Sequence, residues 1–298
     1  MQHPLLAIGS TVALIVGIFG LWQLTHQQNS YTQVPLPPSK PATVATAIAA
    51  TPSTATTSST ANNTPTGPLQ GPTLPNRYFS IERGCSIAID DACVRAMSRP
   101  STSSTPRVPL RIGSLLYVKG STTTTDGTVW YEIDFPEALR YSDRLTLPWF
   151  IPAEAGTLIQ ATGPEELTST TPTTTKRLVV DRSDQLLLRY EGETLVATHT
   201  ISTGRELTPT PRGTFTIFKK TPSRYMQGPI PGISKNYYDL PGVPWNLYFT
   251  KQGAVVHGAY WHNNFGRPYS NGCVNLPPAL ARTIYDWAPL GTTVTVRD

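Results

Sequence analysis

The feature that most limits how this chain can fold is a run of 20 residues without a charge close to its N-terminus. From Leu5 to Leu24 the sequence reads LLAIGSTVALIVGIFGLWQL. About 20 apolar residues is the length that an α-helix needs to cross the hydrocarbon core of a bilayer. A cleaved signal peptide is the alternative, but the run is long for one and no small-residue cleavage site follows it. We therefore predict an uncleaved, single-pass membrane anchor over residues 1–26.

The next segment, residues 27–75, is dominated by threonine, alanine, proline and serine, as in PATVATAIAATPSTATTSSTANNTPTGP. Such a composition cannot bury enough apolar surface to offset the conformational entropy that folding removes. Proline-rich chains of this kind stay extended, so we predict a stalk that separates the anchor from the rest of the chain. Packed cores are expected only after this stalk.

The charge pattern argues against one class of partner. The formal net charge is +5, and charged residues make up 14% of the chain, well under the usual quarter. No run of five or six like charges occurs, and no basic stripe is interleaved with aromatic residues. We therefore expect no nucleic-acid binding. The low charged fraction resembles that of secreted proteins.

Three cysteines are present, at positions 85, 93 and 273. In an oxidising compartment an odd number leaves one thiol unpaired. Cys85 and Cys93 are close enough in sequence to close a small loop, whereas Cys273 lies far away beside a glycine. We predict a Cys85–Cys93 disulfide and a free Cys273; three reduced, buried thiols are the alternative.

Residues 77–167 contain short apolar pieces of period two, separated by turn residues: LRIGSLLYVKG, TVWYEIDF and LPWFIPAEAGTLI. These patterns predict strands of a small β domain. The arrangement resembles a bacterial SH3-like barrel, with Trp130 and Trp149 as barrel or groove aromatics. Both a ligand-binding module and a structural spacer are compatible with this pattern.

A second Thr/Pro stretch at residues 168–176 marks the boundary of the last predicted domain, residues 176–298. There RLVVD and QLLLRY flank a Ser-Asp turn, and Glu191-Gly192 predicts a second hairpin turn. Only PPALARTIYDWA reads as a helix, with apolar residues at Leu280, Ile284 and Trp287 and proline at the helical entrance. The predicted fold class is mainly β, with one helix in the last domain.

Cys273 and His257 are the candidate catalytic pair. A thiol attacks a carbonyl as thiolate, and its ordinary pKa of about 8.5 leaves only a few per cent ionised at neutral pH, so an imidazole has to take the proton. Gly272 permits a tight turn before Cys273, whose N–H groups can point into one concavity and stabilise an oxyanion. Ser270 and Asn271 can lock that turn by side-chain hydrogen bonds to the backbone.

At these residues the sequence resembles the L,D-transpeptidase (YkuD) catalytic domain family. The motif residues are His257-Gly258, then Ser270-Asn271-Gly272-Cys273-Val274-Asn275. TPTPRGTFTIFKK at residues 208–220 resembles the family's TP-x-G-x-F-x-I strand, and PLGTTVTV resembles its last strand. The resemblance covers residues 176–296, about two-fifths of the chain. Asn271 stands where the family often has histidine, which affects local hydrogen bonding but leaves the base at His257.

The resemblance implies a two-step acyl transfer on peptidoglycan tetrapeptide stems. Cys273 attacks the carbonyl before the terminal D-Ala, the protonated His257 releases D-Ala, and the thioester then acylates an amine of a second stem to give a 3→3 cross-link. The backbone carbonyl of Gly258 would orient the imidazole. No cofactor is implied, and the catalytic domain would lie on the extracytoplasmic side of the cell membrane.

The expected substrate-binding residues are aromatic or amide side chains near the motif: Tyr248, Trp245, Trp261 and Asn275. A loop after His257, which contains Trp261 and His262, is expected to shape the pocket. Aromatic residues in a β domain also serve as core, which is the alternative for Trp245 and Tyr248.

Four other functions stay open at this point. Water as acceptor would make the chain an L,D-carboxypeptidase, and an ordinary cysteine peptidase would differ only in its acceptor. A non-catalytic protein that binds cell-wall peptide is a third possibility. The fourth, a zinc site built from His257, His262 and Cys273, lacks a carboxylate, because no Asp or Glu occurs between Asp239 and Asp286. We therefore predict no metal.

Overall fold

The computed structural model describes residues 77–90, 93–167 and 174–298, and these fall in one compact unit. The predicted anchor and stalk at residues 1–75 lie outside the described residues. Within the described ranges, no helix is both long and apolar enough to cross a bilayer.

The N-terminal region forms an antiparallel sheet of seven described strands. They are β1 (Arg77–Ile81), β2 (Arg95–Met97), β3 (Pro106–Pro109), β4 (Leu115–Thr123), β5 (Val129–Asp134), β6 (Trp149–Pro152) and β7 (Gly156–Gln160). Their spatial order is β3-β2-β6-β5-β4-β1-β7. Short 3₁₀ turns at Ser142–Arg144 and Ala153–Ala155 connect some of them. The period-two pieces of the sequence are thus strands, as predicted.

Both tryptophans of this region are core residues. Trp130 is 2% exposed and Trp149 3%. The indole N–H of Trp149 donates to the Thr146 carbonyl at 3.0 Å, so its polar atom is satisfied. Trp130 therefore fills the interior, and Trp149, although buried, also borders a cavity of about 300 Å³. The SH3-like resemblance of this region stays a prediction.

Cys85 and Cys93 form a disulfide, and Cys273 is free, as the spacing predicted. Both bonded cysteines are buried, and the N–H of Cys85 donates to the Leu110 carbonyl at 2.8 Å. The disulfide thus closes the connection between β1 and β2, and the hydrogen bond to Leu110 ties this connection to the chain before β4.

The C-terminal region contains two described five-stranded sheets. Its strands are β8 (Glu165–Glu166), β9 (Lys176–Asp181), β10 (Leu186–Glu191), β11 (Thr194–Thr200), β12 (Gly213–Thr216), β13 (Lys219–Ile230), β14 (Ser234–Tyr248), β15 (Val255–Gly258), β16 (Val274–Leu276) and β17 (Thr293–Arg297). One sheet has the order β11-β10-β9-β17-β12 and the other β16-β15-β14-β13-β8. Both hairpin turns predicted after β9 and β10 are present, and Gly192 supplies the positive φ of 58° that the second requires.

The strand β8 lies across the predicted domain boundary. Residues 165–166 were assigned to the N-terminal domain, but they pair with β13 in the C-terminal sheet, with Lys220 opposite Glu165 and Lys219 opposite Glu166. The Lys219 ammonium lies 3.0 Å from the Glu166 carboxylate. The charge pair across the two strands favours this edge pairing.

The predicted helix α1 spans Pro278–Trp287 and begins with proline in its first turn. Its buried residues are Ala281, Ile284 and Tyr285, whereas Leu280 and Trp287 are only partly buried. The apolar face is therefore rotated by about one residue from the predicted 280/284/287 stripe. This face packs against β14 and β15 and completes the C-terminal core.

The segment from Glu137 to Arg144 connects the two regions by packing along β13 and β14. The Glu137 carboxylate accepts the Tyr225 N–H at 2.6 Å, and the Tyr141 hydroxyl donates to the Pro229 carbonyl at 2.8 Å. The ring of Tyr225 packs in the N-terminal core, 4.9 Å from that of Phe135. The N-terminal region is thus packed against the hairpin that carries much of the candidate site.

Reduction of the disulfide should lower the stability of the described fold. The bridge closes a loop of 8 residues in sequence separation, for which the loss of unfolded-state entropy corresponds to about 2–3 kcal/mol. Chemical denaturation with and without reductant measures this difference in the free energy of unfolding. The Cys85→Ser/Cys93→Ser double variant is the control, and it should not respond to reductant. Equal stability of reduced and oxidised wild type would contradict the prediction.

Candidate active site

A cavity of about 1260 Å³ is lined by residues of both regions. Strands β13, β14 and β15 and the turn before β16 supply one part of its wall, and residues 134–140 of the N-terminal region supply another. His257, Cys273 and Asn275 all line this cavity. The candidate pair therefore lies where a peptide can enter.

The turn before Cys273 is held by one serine. The Ser270 hydroxyl donates to the Cys273 carbonyl at 2.6 Å and accepts the Gly272 N–H at 3.1 Å. Gly272 has φ of 112°, which side-chain-bearing residues rarely adopt, so glycine is required there. The serine hydrogen bonds and the tight turn follow the sequence prediction. The side chain of Asn271 makes no hydrogen bond within the part of the chain that the structure describes, although Asn271 lines the cavity.

His257 reaches the same face as Cys273 through parallel pairing of β15 with β16. In that register Val256 lies opposite Val274 and His257 opposite Asn275. Because successive side chains of extended chain point to opposite faces, residues 273 and 275 share the face of His257. His257 and Cys273 are thus diagonal neighbours across two adjacent strands. They are 16 positions apart in the sequence, and the pairing of β15 with β16 brings them together.

The tautomer of His257 follows from its backbone contact. Its Nδ1 lies 3.0 Å from the Gly258 carbonyl oxygen, which can only accept, so Nδ1 carries the proton. The Nε2 atom then carries a lone pair, and it is buried without a hydrogen-bond partner among the described residues. An imidazole nitrogen in this state is ready to accept a proton. The orienting contact with Gly258 is the one that the family resemblance implied.

Gly258 is glycine because two neighbours approach it closely. A Cβ there would lie 2.8 Å from Pro244 Cγ and 3.0 Å from Pro278 Cα. The start of α1 therefore packs directly against the residue whose carbonyl orients His257. A larger residue at 258 would push the helix or the strand away.

Burial keeps both members of the pair uncharged. It lowers the pKa of His257 to about 4, with the charges of Arg224 and His262 acting in the same direction, while the Gly258 hydrogen bond opposes the shift. Burial raises the pKa of the Cys273 thiol, which Arg224 and the Val255 N–H partly offset. The free site at neutral pH is therefore thiol and neutral imidazole, so the proton moves to His257 as the sulfur attacks.

His262 forms a second buried contact beside the pair. Its Nδ1 accepts the Asn264 N–H at 3.1 Å, so the neutral ring carries its proton on Nε2. That Nε2 lies 2.8 Å from the Asn275 side-chain amide, and Nε2–H needs an acceptor. The Asn275 oxygen must therefore face His262, which directs its NH₂ group to the other side. This assignment also satisfies the Asn275 oxygen, which lacks a partner in the opposite orientation.

The zinc alternative considered from the sequence required His262 as a ligand. Both ring nitrogens of His262 are hydrogen-bonded to protein groups, so neither is available to a metal ion. Across the described ranges, no group of three or more His, Cys, Asp or Glu side chains is arranged to hold a metal ion.

Three of the four expected substrate-binding residues line the cavity, and the fourth lies in the core. Tyr248, Trp261 and Asn275 line the cavity, and the ring of Trp261 lies 5.7 Å from that of His257. Trp245 is not among the cavity residues: it is 6% exposed in the C-terminal core and packs on Tyr285, with ring centroids 5.2 Å apart. Trp245 is therefore a core residue facing α1, which is the alternative to substrate contact that the sequence left open.

Two cavity residues were missed by sequence reasoning, Arg224 and Tyr238. Arg224 acts electrostatically on both His257 and Cys273, and burial, with a smaller contribution from Cys273, raises the pKa of Tyr238 to about 12. Neither residue belongs to a motif, and their position depends on the long β13–β14 hairpin. No local sequence signal could have identified them.

The Cys273 thiol, just before β16, donates to the Gly253 carbonyl at 3.8 Å, and the oriented imidazole of His257 lies on the adjacent β15. A buried thiol and an imidazole on the same face of the sheet are the components of a candidate thiol–imidazole site. Residues 175–296 match the family model for the YkuD L,D-transpeptidase catalytic domain. This confirms the resemblance read from the motifs over the C-terminal part of the chain.

Two curated relatives match the same region. A Bacillus licheniformis protein provisionally named L,D-transpeptidase YkuD is 28% identical over 123 residues, 40% of this chain and 64% of that protein. L,D-transpeptidase 2 of Mycobacterium tuberculosis is 30% identical over 125 residues, 39% of this chain and 29% of that protein. The chain therefore spans less than two thirds of the length of either relative.

Solved structures also match. An L,D-transpeptidase from Mycobacterium smegmatis has a TM-score of 0.39 and 23% identity, covering 57% of this chain and 91% of its own. The catalytic domain of an E. faecium L,D-transpeptidase has a TM-score of 0.37 and 22% identity, covering 42% of this chain and 98% of its own.

The rate of alkylation of Cys273 should continue to increase as the pH is raised above neutrality. Because burial raises the pKa of the thiol and lowers that of His257, little thiolate is present at about pH 7. The second-order rate constant for iodoacetamide, followed by intact mass, should still be rising at about pH 8–9. The Cys273→Ala variant should take up no label, since the other cysteines are bonded. A rate that is already constant below neutral pH would instead reveal a resting thiolate–imidazolium pair.

The two histidines of the site should carry their protons on different nitrogens. An acceptor, the Gly258 carbonyl, assigns Nδ1–H to His257, and a donor, the Asn264 N–H at Nδ1, assigns Nε2–H to His262. Long-range ¹H–¹⁵N correlation spectra at about pH 7 distinguish these tautomers, and His257→Gln and His262→Gln variants assign the signals. Identical tautomers, or a doubly protonated ring in either residue, would contradict the hydrogen-bond assignment.

Proposed function

We propose that this chain is an L,D-transpeptidase that acts on peptidoglycan stem peptides through a thioester on Cys273. The observation that carries the proposal is the unpartnered, buried Nε2 of His257 on the same strand face as the free thiol of Cys273. The match of residues 175–296 to the YkuD L,D-transpeptidase catalytic domain supports the proposed reaction class.

In the proposed first step, the thiol attacks the carbonyl before the terminal D-Ala of a tetrapeptide stem. His257 Nε2 takes the thiol proton, and the Gly258 carbonyl stabilises the resulting imidazolium through Nδ1–H. The Gly272 N–H is used by Ser270, so the N–H groups of Asn271 and Cys273 are the proposed donors to the oxyanion. The imidazolium then protonates the leaving amine, and D-Ala departs.

In the second step, an amine of another stem attacks the thioester and forms a 3→3 cross-link. His257 takes the proton of the attacking amine, and the thiol is regenerated. Water in place of the amine would make the product a tripeptide, which is the activity of an L,D-carboxypeptidase. Tyr248, Trp261 and Asn275, which line the cavity, are the proposed contacts of the stems.

The proposed location is the extracytoplasmic side of the cell membrane. A single helix over residues 1–26 would anchor the chain, and residues 27–75 would act as a stalk. The Cys85–Cys93 disulfide supports this location, because such bonds persist in oxidising compartments.

The test is incubation of the purified full-length protein with a disaccharide-tetrapeptide. Wild type should release D-Ala, form an acyl-enzyme visible by intact mass and give a 3→3 dimer. Cys273→Ala should lower D-Ala release by about 1,000-fold or more, and His257→Gln by about 100- to 10,000-fold.

Asn271→Ser serves as a matched control in the same turn, because the Asn271 side chain makes no hydrogen bond within the described part of the chain; it should retain activity. Equal D-Ala release by wild type and Cys273→Ala would refute the assigned nucleophile. Binding of the stem without any acyl-enzyme or D-Ala would favour the non-catalytic wall-binding alternative.

A further inference from the structure

Arg224 is a cation inside the cavity that the proposed chemistry does not use. It lies on β13, is half-buried and shares the cavity wall with His257 and Cys273. Its charge lowers the pKa of both groups, so its electric field reaches both reacting atoms. A cation in that position would act on a bound peptide next to the nucleophile.

The guanidinium of Arg224 has no ion-pair partner within 4.0 Å among the described residues. Its recorded contact is the ring face of Tyr248, 5.4 Å from the guanidinium carbon. Among the other cavity cations, Lys219 pairs with Glu166 at 3.0 Å, and Arg205 stacks on Tyr269 at 4.7 Å much as Arg224 stacks on Tyr248. Arg111 and Arg140 also line the cavity and form no ion pair among the described residues. Of these cations, Arg224 is the one whose charge lowers the pKa of both His257 and Cys273. A partly desolvated cation without an anion is costly, and a ligand anion would satisfy it.

The neighbouring carboxylate, Glu137, is directed elsewhere. It accepts the Tyr225 N–H at 2.6 Å, and burial raises its pKa, which the charge of Arg224 partly offsets. Arg224 thus influences Glu137 without forming an ion pair with it. The five donors of the guanidinium remain available for a ligand in the cavity.

Tyr238 is another residue of the cavity wall, on β14 opposite Gly228. Burial and the proximity of Cys273 raise its pKa to about 12, while Arg224 and Arg140 act in the opposite direction. The hydroxyl is therefore protonated at neutral pH. Arg224 and Arg140 thus both act on the environment of Tyr238, and Arg140 comes from the N-terminal region.

We propose that Arg224 binds a carboxylate of the donor peptide beside the carbonyl that Cys273 attacks. The inference rests on the proposed function. A guanidinium recognises carboxylate through two parallel N–H···O bonds, which fixes orientation as well as adding affinity. The leaving D-residue carries a carboxylate next to the scissile bond, and a diamino acid whose side chain bears a carboxylate would supply a second one.

Occupation of Arg224 has a chemical consequence for His257. In the free protein the charge of Arg224 opposes protonation of the imidazole. A bound carboxylate would offset part of that charge, which favours protonation of His257 and, for the same reason, disfavours ionisation of the Cys273 thiol.

The experiment compares wild type, Arg224→Gln and Arg224→Lys on three donors: the tetrapeptide acid, its C-terminal carboxamide, and the tetrapeptide with the diamino-acid side-chain carboxylate amidated. Acyl-enzyme formation, followed by intact mass, gives kcat/KM for acylation. For the tetrapeptide acid, Arg224→Gln should lower kcat/KM by about 10- to 100-fold, and Arg224→Lys should recover part of it. For the donor that lacks the recognised carboxylate, the variant and wild type should agree within about threefold, which identifies the carboxylate.

Lys219→Gln is the matched control, because Lys219 lies on the same strand, lines the same cavity and is already paired with Glu166. It should leave kcat/KM for the tetrapeptide acid unchanged within about threefold. Thermal unfolding midpoints of the variants check that each is folded. An equal loss on all three donors, or no loss on any, would overturn the carboxylate assignment.

The same experiment distinguishes failure of the proposed transferase function from failure of the carboxylate assignment. If wild type forms no acyl-enzyme with any donor, the transferase proposal fails, and the carboxylate site is then tested by binding alone. Calorimetry with the Cys273→Ala protein should show tighter binding of the tetrapeptide acid than of one of the two amidated peptides, and Arg224→Gln should remove that difference. Equal affinities for all three peptides would overturn the inference whether or not the protein is a transferase.

Discussion

The site depends on the parallel hydrogen-bonded pairing of β15 with β16. This pairing places residue 275 opposite His257 and so brings the thiol at 273 to the same face. On its other side β16 is fixed by Ser202, whose N–H donates to the Asn275 carbonyl at 3.0 Å and whose carbonyl accepts the Asn275 N–H at 2.8 Å. A short strand of three residues is thus held between two neighbours, which gives the thiol and the imidazole a fixed relative position.

The same pairing buries the reacting groups, and burial determines their resting state. In a site with little water the charged thiolate and imidazolium are both disfavoured, while a charge that is brought in acts more strongly than it would in water. Arg224, the Gly258 carbonyl and the turn N–H groups are therefore the contacts by which the protein can stabilise charge as it develops. A resting neutral pair also protects the thiol, because a thiol is much less readily oxidised or alkylated than a thiolate.

The sequence predicted those parts of the structure that are encoded locally. The disulfide followed from spacing, the strands from period two, α1 from its proline entrance and apolar spacing, and the Ser270–Cys273 turn from a short motif. The position of Trp245 could not be predicted from sequence, because its ring packs on Tyr285 of α1, 40 residues further along the chain. Arg224 and Tyr238 were missed for the same reason. Their proximity to Cys273 results from the folding of a long hairpin, for which no residue pattern near either one is diagnostic.

The edge strand β8 has a consequence for any attempt to study the catalytic part by itself. Glu165 and Glu166 cover the outer edge of β13, the strand that also carries Arg224. A chain shortened to the family-matched residues 175–296 would lose the partners of Lys219 and Lys220 at the start of β13. Open strand edges pair with other strands, so this end of the hairpin would become a place for self-association. A fragment that begins before Glu165 would keep the edge paired.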